Sequence, residues 1–130
     1  SAVLTAAMTT VPWASVMVRR SFGVAQAAHY GSNAFVLAWP SAESGALPVE
    51  GGVAVAFHRE IAAAADPEAK RKELEEEFAK RQSPFLRAEA FAVHNLIDPR
   101  STRPELCKWI NRIQPLLPSL LGCARFYIRP

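Results

Sequence analysis

The segment from Trp13 to Tyr30, WASVMVRRSFGVAQAAHY, constrains the fold of this chain most, because it changes from strand-like to helix-like at one glycine. Its β-favouring residues have spacings that predict one shared sheet face: Val16, Val18 and Phe22. Gly23 predicts a tight turn, and the alanine-rich stretch behind it predicts a helix that another backbone can approach closely. The segment therefore predicts a strand, a turn and a helix in succession.

A strand that turns sharply into a helix leaves the first backbone N–H groups of that helix without intrahelical acceptors. The N-terminus of a helix also carries partial positive charge, so these groups can hold an anion or a developing oxyanion. One glycine and a few alanines are equally compatible with a junction that is packed tightly for structural reasons alone. The residues of this segment leave both interpretations open.

Composition limits the classes of protein to which the chain can belong. Half of its 130 residues are hydrophobic, which is typical of one domain with one core. No apolar run approaches the roughly 20 residues that span a bilayer, and the first ten residues lack the basic region of a secretion signal. We therefore expect neither a membrane protein nor a secreted one. The abrupt start, SAVLTAAMTT, suggests the end of a helix and hence a fragment.

Charge and metal-binding residues also exclude some functions. The 15 basic and 12 acidic residues are mixed along the sequence, and aromatic residues do not alternate with basic ones, so we expect no nucleic-acid partner. The two cysteines and three histidines lack the spacing of metal ligands, so we predict no metal site.

Two segments after the turn predict a strand and a helix. The apolar run 34–39, AFVLAW, predicts a buried strand that Pro40 ends. Pro48 and Glu50 favour the start of a helix that runs to Ala65. Its apolar residues recur every four positions: Val49, Val53, Phe57 and Ile61. The pair Gly51-Gly52 predicts a close backbone approach, either to a packed neighbour or to a bound group.

The second half of the chain reads as helical. Asp66-Pro67 predicts the cap of a charged helix ending near Gln82, with only Leu74 and Phe78 as its apolar edge. The segment 94–100 reads as a linker. Thr102 and Glu105 have capping-box spacing at the start of a last helix. That helix carries a predicted core-facing stripe: Leu106, Trp109, Ile110 and Ile113.

The order of several motifs is more specific than any one of them. VMVRRSFGVA, LAWPSAE, a helix ending REIAAAADPEAKR, and IDPRSTRPEL follow one another over residues 1–113. This series resembles the C-terminal half of the carboxyltransferase subunit of biotin-dependent acyl-CoA carboxylases. The resemblance implies an α/β fold, namely part of a crotonase-like domain with short strands followed by several helices. It divides the chain into a core (1–65), a helical arm (66–113) and a tail (114–130).

The resemblance also implies a function and a site. In that family, a carboxyl group passes from carboxybiotin to the α-carbon of an acyl-CoA, and backbone N–H groups hold the ureido oxygen of biotin. These donors follow a strand that corresponds to Arg19, Arg20, Ser21, Phe22 and Gly23. The residues that carry over as the oxyanion hole are Val24 and Ala25, through their amides; those that carry over as biotin-binding are Phe22, Gly23 and Ala27.

The chain departs from the family pattern at three places. Val24 stands where the family often has glycine. The valine side chain narrows the approach to the turn, although the backbone N–H remains. Ala27 stands where many members have an aspartate that tunes acyl length. Leu47-Pro48 replaces a Met-Gly pair, which removes one amide.

The resemblance further implies partners: a biotin carboxyl carrier domain, an N-terminal carboxyltransferase domain that binds the acyl-CoA, and further copies in a homo-oligomer. We expect this chain to supply the biotin side of the site and to be inactive alone. Its expected location is the cytoplasm of a bacterium or the mitochondrial matrix. The alternative is a non-catalytic assembly module that kept the fold and lost the chemistry.

Overall fold

The structure, a computed structural model, describes residues 11–30 and 34–122. The predicted end of a helix before residue 11, residues 31–33 and the residues after 122 lie outside these ranges. The strands are β1 (Trp13–Met17), β2 (Arg20–Phe22), β3 (Ala34–Ala38), β4 (Glu43–Gly45) and β5 (Asn95–Leu96). The α-helices are α1 (Gly23–His29), α2 (Val49–Ala56), α3 (His58–Ala63), α4 (Pro67–Arg81), α5 (Pro84–Glu89) and α6 (Thr102–Ile113), with 3₁₀ turns at Pro99–Ser101 and Gln114–Leu120.

The strands form two parallel sheets, and the chain passes through both of them twice. β1, β3 and β5 make one sheet in that order, with β1 and β3 in register from Trp13↔Ala34 to Met17↔Ala38. β2 and β4 make the second sheet, in register from Arg20↔Glu43 to Phe22↔Gly45. Each pass therefore runs from the first sheet to the second and then into a helix, first as β1–β2–α1 and again as β3–β4–α2.

The single strand predicted before Gly23 is in fact two strands in different sheets. Val18 is exposed and lies between them, so the predicted shared face of Val16, Val18 and Phe22 is wrong. The buried residues of β1 are Ser15 and Met17. Ser15 is accommodated because its hydroxyl donates to the His29 carbonyl at 2.6 Å, which ties β1 to the end of α1.

The middle strand β3 lies at the centre of the core, as its uninterrupted apolar run predicts. Val36 and Leu37 point to opposite faces and are both buried, which is typical of a parallel strand covered on two sides. A cluster of buried residues surrounds it: Met17, Ala34, Val36, Ala38, Ala42 and Val93.

The one helix predicted from Pro48 to Ala65 is interrupted twice. Glu50 and Gly51 have non-helical conformations, with φ of +82° at Gly51, and Phe57 separates α2 from α3. Phe57 packs edge-on against Phe78 of α4, with ring centroids 5.2 Å apart. The apolar residues at every fourth position are buried or half-buried on both sides of these breaks, so periodicity alone could not reveal them.

The charged helix α4 agrees with its prediction. The Asp66 carboxylate caps it by accepting from the N–H groups of Glu68 and Ala69, at 3.1 and 3.0 Å. Leu74 is buried, and Glu77 pairs with Arg81 along the solvent face. The helix ends at Gln82, whose N–H donates back to the Phe78 carbonyl.

The segment predicted as a linker at 94–100 contains β5 and a 3₁₀ turn. His94 prolongs the pairing of β5 with β3, because its N–H donates to the Val36 carbonyl and its Nδ1 accepts from the Val36 N–H, at 2.8 and 3.1 Å. A strand of two residues has too few positions to show alternation, so its sequence could not predict it.

The helix α6 begins at Thr102 as predicted, but the predicted capping box is wrong. Ser101 is the N-cap residue, and the Thr102 hydroxyl donates to the Pro99 carbonyl while it accepts from the Trp39 indole N–H, at 2.7 and 2.9 Å. The stripe of α6 is also less buried than predicted, since Ile110 is 51% exposed. Together with Val11 and Pro12 it lines an apolar groove of about 470 Å³.

Among the residues that the structure describes, no helix has both the length and the apolar character to span a bilayer.

The bond between Trp39 and Thr102 predicts a stability effect. Thr102→Val keeps the shape of the side chain but leaves the part-buried indole N–H without its acceptor, so we expect a loss of about 1–3 kcal/mol in the free energy of unfolding. Thr102→Ser keeps the hydroxyl and should lose much less. Urea unfolding of both variants measures the difference, and equal losses would contradict this role for the hydroxyl.

Substitution of Phe91 should raise the free energy of unfolding. Phe91 closes α5 with φ of +55°, in a Schellman arrangement in which the N–H groups of Phe91 and Ala92 donate to Ala88 and Arg87. Its side chain is 94% exposed, so it contributes little packing. We expect Phe91→Gly to stabilise the chain by about 1–2 kcal/mol, because glycine is not strained there. Phe91→Ala is the control; a gain equal to that of glycine would refute the explanation.

Candidate functional site

The candidate site begins where β2 turns into α1. Gly23 makes this turn with φ of +65°, a conformation that favours glycine. Phe22 is the N-cap residue and makes no side-chain cap, and the first turn of α1 contains no acidic residue. The N–H groups of Gly23, Val24 and Ala25 thus belong to a helix start whose partial positive charge no carboxylate of that turn neutralises.

The predicted site residues lie together because four of them are consecutive. Phe22 is half-buried at the end of β2, and Gly23 is the turn itself. The side chain of Val24 is 74% exposed, so solvent reaches the surface beside its amide. Ala27 is exposed on the next part of α1. This placement leaves the biotin-binding roles predicted for these residues as predictions.

A second turn, from β4 into α2, lies directly against the first. A Cβ atom built on Gly23 would be 3.7 Å from the Ala46 carbonyl oxygen. Behind the second turn, Gly51 has a positive φ in the irregular first part of α2, whereas a Cβ atom on Gly52 would be 2.9 Å from the Cβ atom of Leu47. Backbone conformation therefore accounts for glycine at position 51, and close packing accounts for it at position 52.

Arg20 links the two turns through ion pairs. Its guanidinium donates to both carboxylate oxygens of Glu50, at 3.3 and 3.2 Å, and lies 3.4 Å from the carboxylate of Glu43. The nearby carboxylate of Glu50 is the main reason that the pKa of Arg20 is raised above its usual value. Because these groups are exposed, the pairs orient the turns and add little stability. Both acids are therefore paired with the same guanidinium.

A cleft of about 440 Å³ opens on this face of the second sheet. Phe22 is the one predicted site residue among its lining residues in the described chain. Gln82 also lines it, and sequence reasoning missed this residue. Gln82 ends a charged helix, where a polar residue is ordinary, so no signal distinguished it from its exposed neighbours. The lining residues include Arg20, Phe22, Ser41, Glu43, Pro48, Glu50, Gln82 and Ser83.

Comparison with known proteins identifies the family. The carboxyl transferase domain matches residues 1–113. This chain belongs to the carboxyl transferase domain family. The predicted resemblance is therefore confirmed over the residues for which it was stated.

Two relatives illustrate the similarity in sequence. The methylmalonyl-CoA carboxyltransferase 12S subunit of Propionibacterium freudenreichii subsp. shermanii is 38% identical over 102 residues, which are 75% of this chain and 19% of the relative. The propionyl-CoA carboxylase carboxyltransferase subunit of Haloferax mediterranei is 34% identical over 102 residues, again 75% of this chain, and 20% of the relative. The chain thus spans about a fifth of the length of these relatives.

Solved structures support the fold. The crystal structure of transcarboxylase 12S, a hexamer with methylmalonyl-CoA bound, matches 99% of this chain and 24% of its own with a TM-score of 0.76 and 32% identity. A single-chain, multi-domain long-chain acyl-CoA carboxylase matches 82% of this chain and 11% of its own with a TM-score of 0.57; at 24% identity it shows the fold alone. The predicted α/β, crotonase-like fold with short strands followed by helices is confirmed.

The turn at Gly23 predicts a stability effect that packing does not explain. A methyl group there would make only an ordinary contact with Ala46, so the cost of Gly23→Ala should be backbone strain of about 1–2 kcal/mol. Gly23→Asn should cost less, because asparagine visits positive φ more readily. Thermal or urea unfolding of the two variants gives the order, and a cost for asparagine above that for alanine would argue against strain.

Proposed function

We propose that this chain forms the biotin side of a carboxyltransferase site, in which a carboxyl group passes from carboxybiotin to the α-carbon of an acyl-CoA. The observation that carries the proposal is the start of α1. It is a helix N-terminus without an acidic residue in its first turn, it follows the turn at Gly23, and it lies in the residues that match the carboxyl transferase domain. We expect the chain alone to lack activity, because it contributes one part of the site.

The two backbone N–H donors suit the ureido oxygen that they are proposed to hold. A ureido oxygen is a neutral acceptor that becomes more negative when its ring loses a carboxyl group, and two backbone N–H groups match such an oxygen. The amides of Val24 and Ala25 lie in the first helical turn, where backbone N–H groups lack intrahelical acceptors. Phe22 and Gly23 shape the approach from the strand side, and Ala27 leaves space along α1. The residues present therefore fit biotin.

The chain acts through main-chain dipoles and not through reactive side chains. When bound, carboxybiotin supplies the carboxyl group that is transferred. The amides of Val24 and Ala25 donate to the ureido oxygen, and they are held in place before the reaction because the turn at Gly23 fixes the first helical residues. Donors fixed in this way stabilise developing charge without reorganising at the moment of reaction.

The rest of the site belongs to partners. An N-terminal carboxyltransferase domain would bind the acyl-CoA and hold its thioester oxygen, and a carrier domain would deliver the biotin. The transcarboxylase 12S to which the chain is similar is a hexamer, and we expect a homo-oligomer here too. With such partners, we expect the chain to act in the cytoplasm of a bacterium or in a mitochondrial matrix.

The alternative function, a non-catalytic assembly module, has one observation in its favour. Pro48 is the N-cap residue of α2 and has no N–H, so the second turn offers one donor fewer beside the first. The proposed donors of the first turn are unaffected by it. Activity of the assembled protein decides between the two functions.

Removal of one donor tests the catalytic role. Val24→Pro deletes the N–H at the second position of α1, where the helix does not need it, and we expect kcat for carboxyl transfer to fall about 10²–10³-fold in the enzyme assembled with its N-terminal domain and biotin carrier. The matched control is Val24→Ala, which keeps the N–H and removes exposed side-chain atoms. A kcat for Val24→Pro equal to that of the control would refute the donor role of this amide.

The division of the site predicts the behaviour of the isolated chain. Alone, it should transfer no carboxyl group from carboxybiotin to propionyl-CoA, whereas addition of the N-terminal domain and carrier should restore transfer. Carboxybiotin with a radiolabelled carboxyl group, followed by measurement of the label in the acyl-CoA product, measures both. Turnover by the chain alone would contradict the division, and no turnover by the complete assembly would favour the assembly module.

A further inference from the structure

We propose that Gln82 and Arg87 are positioning residues for the β2–α1 turn: they form a brace that holds β4 and the turn behind it against Gly23. The inference rests on the proposed function, because its consequence for activity requires the amides of Val24 and Ala25 to be donors. The brace itself is a matter of contacts between side chains and backbone.

The first part of the brace occupies the open edge of β4. The second sheet has β2 on one side of β4, and the other side meets the connection between α4 and α5. There the Ser44 N–H donates to the Gln82 carbonyl, and the Nε of Arg87 donates to the Ser44 carbonyl, both at 3.3 Å. The two residues thus pair with Ser44 as a neighbouring strand would, which protects an edge that would otherwise be unpaired.

The second part of the brace is the side chain of Gln82. Its Nε2 donates to the Leu47 carbonyl at 2.7 Å, and its Cγ would be 3.6 Å from a Cβ atom on Gly45. The residue is only 6% exposed, so this amide is fixed by burial as well as by hydrogen bonding. Gln82 therefore holds the chain at Ser44 through its backbone and at Leu47 through its side chain.

The segment between Ser44 and Leu47 lies beside the proposed site. Ala46 lies between Ser44 and Leu47, and its carbonyl oxygen faces Gly23 at the distance of ordinary contact for a Cβ atom. A shift of β4 or of Leu47 would move this carbonyl and with it the turn that aims the Val24 and Ala25 amides. A displacement of about 1 Å at a reacting group costs on the order of 100-fold in rate. A brace that is remote from the reacting atoms can therefore change the rate strongly.

The test replaces Gln82 and Arg87, one at a time, by an unbranched apolar side chain. Gln82→Met removes the amide and keeps an unbranched side chain of similar length, and Arg87→Met removes only the contact with Ser44. The control is Lys80→Gln, on the exposed face of α4. The measurements are the ¹H–¹⁵N resonances of Gly23, Val24 and Ala25, and kcat and KM for the acyl-CoA in the assembled enzyme.

We expect both variants to shift the three amide resonances while those of α6 stay unchanged, and to lower kcat roughly 10–100-fold with an unchanged KM. If Gln82→Met does not fold, Arg87→Met alone decides. Unchanged amide resonances in a folded variant would overturn the brace, whatever the activity. Shifted resonances in an assembly whose wild type has no carboxyl transfer would support the brace and refute the proposed function.

Discussion

The parallel pairing of β2 with β4 is the constraint on which the candidate site depends. The register Phe22↔Gly45 makes both strands end side by side, so the turns that follow them lie in contact at Gly23 and Ala46. Gly23 makes the first turn with a positive φ, and Gly51 has a positive φ in the irregular first part of α2. The site is thus a consequence of repeating one strand–strand–helix unit twice in register.

The chemistry that we propose for the site is that of the backbone. The exposed ionisable groups around the turns, Arg20 with Glu43 and Glu50, are bound to one another, and the pKa of Arg20 is raised by its pairing. Such pairs set the orientation of loops and contribute little to stability. A helix start can stabilise charge without a reactive side chain.

The sequence predicted those parts of the fold in which a local signal and the tertiary environment agree. The buried strand around Leu37 and the helix capped by Asp66 are of this kind, since apolarity and capping chemistry act within a few residues. The sequence did not predict that β1 and β2 are separate strands, because β propensity does not reveal the change of sheet at Val18. The break at Phe57 was missed because its aromatic contact with Phe78 is distant in sequence.

The site could be predicted only in part. Motif order placed the turn at Gly23 correctly, because its residues are consecutive. It could not show that Gln82 reaches the Leu47 carbonyl, since that contact joins residues 35 apart and depends on how α4 packs on the second sheet. Residues that orient a site from another element carry no sequence pattern of their own.

Replacement of the amide between Gly23 and Val24 by an ester is the most direct measurement. It removes the N–H of residue 24 and leaves every side chain unchanged. If this group donates to the oxygen that becomes negative during carboxyl transfer, kcat of the assembled enzyme should fall about 10²–10³-fold while the structure of the chain is retained. An ester variant with the kcat of the native chain would contradict catalysis by these main-chain donors.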